Sequence, residues 1–184
     1  MLLSLPDGLR TLKALLVALV ALFAFLVGLN NITDYDSNFA FVQHVLSMDT
    51  TFEGNRLMWR RIEAPWVHHA GYIGIIAAEL LTAALCAAGA WKMYAARGAS
   101  SSQFMRAVLL ASWGLATGVL LWLGGFITVG AEWFLMWQSP TWNGQQAAFR
   151  FTVCLLACLV FINLPEPTVD RGAGDEENEE SPDG

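Results

Sequence analysis

Glu79 is the residue with the most chemistry to offer, because it stands alone in the middle of an apolar run from Val67 to Ala90. On a helix turning about 100° per residue, His68, Tyr72, Glu79, Thr82 and Cys86 all fall within roughly 40° of one line. They form a polar stripe that leads from one end of the run past its middle. A carboxylate inside a lipid-facing helix is costly unless it faces the bundle and is paired, hydrated or protonated, so such residues mark proton and ion paths. No Lys or Arg in the other apolar runs shares its depth. Trp122 is the best-placed hydrogen-bond donor, with Thr152 a second. The stripe is thus read as a proton or cation relay or as a neutral acid that fixes helix packing.

The three histidines suggest haem or a metal, with His44, His68 and His69 as the candidate ligands. His68 and His69 are adjacent, about 100° apart on a helix, and cannot clasp one haem between them. No two runs carry histidines at matched depths, and the spacing of the histidines to Asp34, Asp36 and Asp49 matches no familiar metal motif. No resident cofactor or metal is therefore expected, and the histidines are read as interfacial groups that hydrogen-bond or sense pH. Glu132, at the end of the third run, is expected to form a structural ion pair with Arg150, near the start of the fourth, or else with Arg60 or Arg61 of the insert. Ser47, Asp49 and His44 cluster in sequence without a nucleophile elbow or oxyanion-hole signature, so no catalytic residue is assigned and an enzyme is not expected.

The elements that must hold these residues are four apolar runs long enough to cross a bilayer, at about 10–30, 67–94, 104–131 and 147–164. The first lacks a small-x-small cleavage site and reads as an uncleaved span. Ala14, Ala18, Ala21 and Gly28 give it one close-packing face. Pro65 suits the first turn of the second helix. Ser100 with Gln103 suggests a capping box for the third, where Gly114 and Gly118 make a GxxxG step that Gly125 continues. Between the first two runs lies a polar insert, about 31–66. There Asp36-Ser37-Asn38 offers an N-cap, and Phe41, Val42, Val45 and Met48 share one helical face. Asn55 can cap a further turn carrying Met58, Trp59, Arg60 and Arg61. Asn31-Ile32-Thr33 matches a glycosylation sequon but abuts the first run, so turn chemistry is its expected role. The fold class is an all-α integral membrane protein, a four-helix transmembrane bundle with a partly helical outer insert between helices 1 and 2.

Charge supports this reading. The net charge of −6 lies in the tail 166–184, where eight acidic residues face Arg171 alone; the remainder is close to neutral. Nucleic acid is excluded as a partner, since no basic patch exists to displace phosphate counterions. The tail is expected to be disordered and cytoplasmic. Cys86, Cys154 and Cys158 all lie within apolar runs and read as packing residues. Six basic residues on the side of the termini against four on the other place both termini in the cytoplasm by the positive-inside rule. Trp59, Trp66, Trp133, Trp137 and Trp142 then form an aromatic belt at the outer boundary.

The run NNITDYDSNFAFVQHVLSMDTTF, with MWR at 58–60, HH at 68–69 and the later MWQSPTWNGQQAAFRF, resembles a bacterial family of small integral membrane proteins, domain of unknown function 2165. The resemblance covers nearly everything before the tail. It implies a four-span protein of the bacterial inner membrane and no established activity, so it transfers no site residue. The leading functional expectation is an accessory or scaffold subunit in the lipid bilayer, contacting a membrane-protein partner through its insert. The alternatives are a small proton or ion transport unit built on the Glu79 stripe, and a haem- or metal-binding redox protein.

Overall fold

Lipid offers the backbone no hydrogen-bond partners, so each crossing segment must satisfy its own N–H and C=O groups as a helix. The computed structural model describes residues 5–166, and every element among them is helical. Helix α1 is Leu5–Thr33, α2 is Tyr35–Ser47, α3 is Pro65–Ala95, α4 is Ser101–Val119 and α5 is Gln145–Asn163. Single 3₁₀ turns occur at Met58–Arg60 and Met136–Gln138. Four helices are long and apolar enough to cross a membrane. The protein is a multi-pass, all-α membrane protein.

Two starts differ from expectation. Helix α2 begins at Tyr35 with Asp34 at its N-cap, two residues before Asp36. It follows α1 almost without a break, and Ser37 donates to Asp34 Oδ2 at 2.8 Å. Ser100 occupies the N-cap of α4 without a side-chain cap bond, because its hydroxyl meets Ser102 instead. Pro65 opens α3 as expected, and Asn55 does shape the following turn, accepting from Leu57 N at 2.9 Å.

Helix α4 does not end at Val119. It continues to Trp133 as a π-helix, with bonds such as Phe134 N to Val129 O. This i→i+5 winding puts more residues into each turn and turns side chains off the α-helical register. Gly125 therefore leaves the face of Gly114 and Gly118, and its nearest neighbour is Leu121 of its own helix.

Helix α3 is the hub, packed against α1 on one side and α4 on the other, with α5 against α4 and the π segment. The α3–α4 approach is backbone to backbone. A Cβ on Gly89 would lie 2.6 Å from Ala111 Cα, and one on Gly114 would lie 2.7 Å from Cys86 N. Between helices in lipid, such close packing replaces the hydrophobic drive available in water. At the other end of the chain's path, Arg10 and Lys13 are buried instead of flanking the membrane in water. Lys13 Nζ donates to the carbonyls of Ile162 and Leu164 at 3.1 and 2.7 Å, capping α5 where its dipole is negative. Arg10 donates to Glu166 at 2.5 and 2.6 Å and to the carbonyls of Arg97 and Ala99. Glu166, assigned by sequence to the tail, is thus tied to the bundle; the rest of the tail lies outside the described residues.

The helices are staggered. Asn31, in the last turn of α1, touches Glu79, in the middle of α3. Lys13 to Asn31 is roughly 27 Å of helix and Glu79 to Ala95 roughly 24 Å, so these two lengths run side by side. The first part of α3, from Pro65 to Glu79, extends roughly 21 Å past the level where α1 leaves its apolar run. Glu79 is central in its own helix but lies level with the end of α1 and the first turns of α5.

Gly114→Ala is expected to lower stability by about 1–3 kcal/mol through backbone overpacking. Gly74→Ala, where a Cβ would meet nothing within 4 Å, should be neutral or stabilising. Thermal unfolding in detergent compares the two. Glu166→Gln leaves Arg10 without its carboxylate and should cost about 2 kcal/mol at neutral pH. The Arg10 hydrogen bond holds the Glu166 carboxyl below its ordinary value. That contribution is fully present above the unfolded carboxyl's pKa of about 4.3 and is lost as pH falls through the folded value. Melting temperatures of wild type and Glu166→Gln should therefore converge only in acid.

Candidate functional site

Helix α3 turns one side wholly into the protein: His68, Tyr72, Ile76, Glu79, Thr82 and Cys86 are all buried. The five residues of the sequence-derived stripe thus share a buried face. Glu79, 2 % exposed, receives Asn31 Nδ2 on Oε1 at 3.0 Å and on Oε2 at 2.8 Å. Asn31 in turn accepts on Oδ1 from Asn38 Nδ2 of α2 at 2.7 Å. Tyr72 donates its hydroxyl proton to the Asn31 carbonyl at 3.1 Å. A hydrogen-bonded line therefore runs from exposed Asn38 through buried Asn31 to the Glu79 carboxyl.

A cavity of about 220 Å³ lies beside this line. Asn31, Asn38, Tyr72 and Glu79 supply its polar lining, while Phe41, Trp122, Phe126 and Phe151 give it aromatic walls. The rings hold one another: Trp122 meets Phe151 edge-on with centroids 5.5 Å apart, and Phe23 lies 4.9 Å from Phe151. Gly144, Ala147 and Ala148 line it at the start of α5, and Val27, Val42 and Ile75 add aliphatic wall. The site thus draws on α1, α2, α3, the π segment and α5.

Beyond Glu79 the stripe closes. Thr82 is fully buried with its hydroxyl unpartnered. A Cβ on Gly118 would come within 3.2 Å of the Thr82 methyl and 2.8 Å of Leu155. Cys86 is pressed against Gly114 one turn further on. The cavity communicates with the insert end, where Asn38 and Ala147 are exposed.

Several expected partnerships are replaced. Trp122 lines the cavity, but the donor to Glu79 is Asn31, and Thr152 bonds to the Ala148 carbonyl at 2.8 Å. Asn31 was read as a turn residue because it ends an apolar run. An amide facing a lone carboxyl on another run was the signal available. The Glu132–Arg150 pair does not form. Both residues are exposed, and the described ion pairs are Arg10–Glu166, His44–Asp49 and Arg61–Glu63. The π winding before Glu132 displaces it from the register that would meet α5. Arg60, the alternative partner, instead bonds the Trp133 carbonyl at 3.2 Å and lies 4.5 Å over the Trp133 ring, and Arg61 pairs with Glu63.

The histidines go to three separate places. His68 donates from Nε2 to the Ile62 carbonyl at 2.7 Å, pinning the insert's return to the membrane. His69 stacks on Phe39 at 4.1 Å and shares a hydrogen bond with the Tyr35 hydroxyl. His44 bonds Asp49 at 2.7 Å and stacks on Trp142. Among the described residues no three His, Cys, Asp or Glu side chains are grouped for a metal.

Residues 9–165 match the family described as predicted small integral membrane proteins, domain of unknown function 2165. No curated protein and no solved structure matches the chain.

The Asn31–Glu79 contact is testable by a double-mutant cycle on Asn31→Ala and Glu79→Ala, read by unfolding in detergent. A coupling of about 1–3 kcal/mol is expected, as for a hydrogen bond to a buried acid. Additivity within about 0.5 kcal/mol would mean the contact holds nothing.

Proposed function

The chain belongs to that family of small integral membrane proteins, and from this premise we propose that it is a non-enzymatic accessory subunit acting through its insert. The observation that carries this reading is that three exposed tryptophans stand together at the insert end, apart from Trp91 and Trp113, which are exposed along α3 and α4. Trp66 is 74 % and Trp59 69 % exposed, and Trp133 packs edge-on against Trp59 at 5.9 Å. They cluster around the start of α3 and the end of the π segment. By helix length that is roughly 20 Å beyond the level where α1 leaves its apolar run. Exposed residues of α2 in the same insert are polar: Asp36, Ser37, Asn38 and Gln43. An aromatic tip above a polar flank is suited to a protein partner, since rings of this size anchor interfaces. In this reading the termini are cytoplasmic and the tip faces the other side of a bacterial inner membrane.

The insert is built to hold that tip still. Ile62 N bonds Leu46 O at 2.8 Å, Thr50 bonds Ser139 at 2.8 Å, and Phe52 N bonds Gln138 at 3.1 Å. Met48 and Leu135 both adopt the left-handed conformation with positive φ, and both are buried in one cluster with Val45, Phe134 and Met136. A non-glycine residue held there is costly and persists where the surroundings over-determine it.

A second reading, proton or ion handling at Glu79, is favoured by the Asn38–Asn31–Glu79 line. Its closed inner end supports exchange with the insert side alone.

A photoreactive side chain at position 66, set against one at lipid-exposed Leu19, tests the leading reading in native membranes. A discrete protein adduct from position 66, absent from position 19, is expected. Lipid adducts alone at both positions would make the rings a membrane belt and overturn the accessory reading.

A further inference from the structure

The Glu79 carboxyl has acceptor capacity that the chain leaves unused. An ionised carboxylate offers about four lone-pair sites, and its described donor is a single amide, Asn31 Nδ2. No Lys or Arg among the described residues forms an ion pair with it. Tyr72 adds an acceptor to the same space, since its hydroxyl donates to a backbone carbonyl and its oxygen lone pairs remain. Both polar groups are almost fully buried, Tyr72 at 1 % and Glu79 at 2 % exposure.

The remaining walls narrow the chemistry. Calcium takes about six to eight oxygen ligands, and magnesium needs near-ideal octahedral geometry. One carboxylate with an amide and a phenol falls short of either. A volume of about 220 Å³ corresponds to about seven waters at ~30 Å³ each, far more room than a bare ion uses. Phe41, Trp122, Phe126 and Phe151 form much of its apolar wall, and aromatic faces attract a cation while burying hydrocarbon. Neither a neutral apolar molecule nor an anion would satisfy the carboxyl.

We infer that this cavity is a binding site for a small organic monocation: a primary ammonium on a short hydrocarbon chain. The ammonium donates to Glu79 and Tyr72, and the chain lies against the rings. Entry is from the insert end, past exposed Asn38 and Ala147, and the seal at Thr82, Cys86 and Gly118 keeps the ligand on that side. The site uses the same carboxyl as the second functional reading, with an organic cation in place of the proton; the accessory reading stands or falls separately.

The test titrates n-butylammonium into the purified full-length protein in mild detergent by calorimetry, with n-butanol and sodium as comparators. Saturable one-site binding of the amine is expected, weakened at least tenfold by Glu79→Gln and abolished by Ala147→Trp at the rim. Butanol should not bind, and sodium should not compete at equal concentration. No saturable binding, equal binding of butanol, or unchanged affinity in Glu79→Gln would overturn the inference. If Glu79→Gln does not fold, the Ala147→Trp variant and the butanol comparison decide. Proton flux in liposomes without amine binding would overturn this inference and leave the proton reading standing.

Discussion

The structure depends on how closely α3 and α4 approach each other. In lipid, separating two helices exposes no apolar surface to water, so association rests on van der Waals fit and a few interhelical hydrogen bonds. Gly89 opposite Ala111 and Gly114 opposite Cys86 let the two backbones touch. This contact has a second effect. It closes the polar stripe of α3 below Thr82, so the polar face cannot act as a passage to the side of the termini. A helix pair with larger residues at these positions would stand apart and leave room along the stripe for water. The glycines that hold the bundle together also leave the cavity at Glu79 open toward one side.

The stagger of the helices gives that cavity its place. Two helices, α1 and α5, begin or end at the level of Glu79, while α3 and the π segment continue past it. Space would be left beside the longer pair. Helix α2 fills part of it, burying Val42 and Val45 against its neighbours and turning polar residues outward. The remainder is the cavity. Glu79 thus lies level with the end of the apolar run of α1 rather than with its middle. A carboxyl is less costly to bury near the end of an apolar layer than at its middle, and access from the insert end is short. The reach of Asn31 into the site follows from the same geometry, because the end of α1 from Val27 onward comes level with it.

Much of this was legible in the sequence, and the reason is the solvent. Lipid forces spanning segments into long uncharged runs, so the four helices, the start at Pro65 and the insert between the first two could be read directly. The wheel of α3 was legible because an α-helix keeps its register over many turns, and all five stripe residues are buried together. The π winding was not legible: nothing in LLWLGGFITVGAEW distinguishes i→i+5 from i→i+4 bonding before packing is known. Its consequences were missed with it, in the positions of Gly125 and Glu132. The stagger was hidden because helix length in sequence says nothing about relative level. The burial of Arg10 and Lys13 was not legible either, because their acceptors are carbonyls freed at the end of α5 and in the α3–α4 link, far away in sequence.

The two ends of the bundle solve the problem of buried charge in opposite ways. At the end carrying the termini, Lys13 and Arg10 are each surrounded by acceptors: carbonyls at the negative end of α5, carbonyls of the α3–α4 link, and Glu166. Each cation there has a fixed structural counterpart, and the result is a rigid knot. At the insert end the one buried carboxyl, Glu79, has an amide for company and aromatic rings beyond it, with no described cation to balance it. If the role of Glu79 were only to pack, a Gln would give Asn31 the same acceptor without the risk of a buried charge. Retaining a carboxyl beside an aromatic-walled space, reached through a line of amides from an exposed position, is the arrangement of a site whose counter-ion comes from outside the chain.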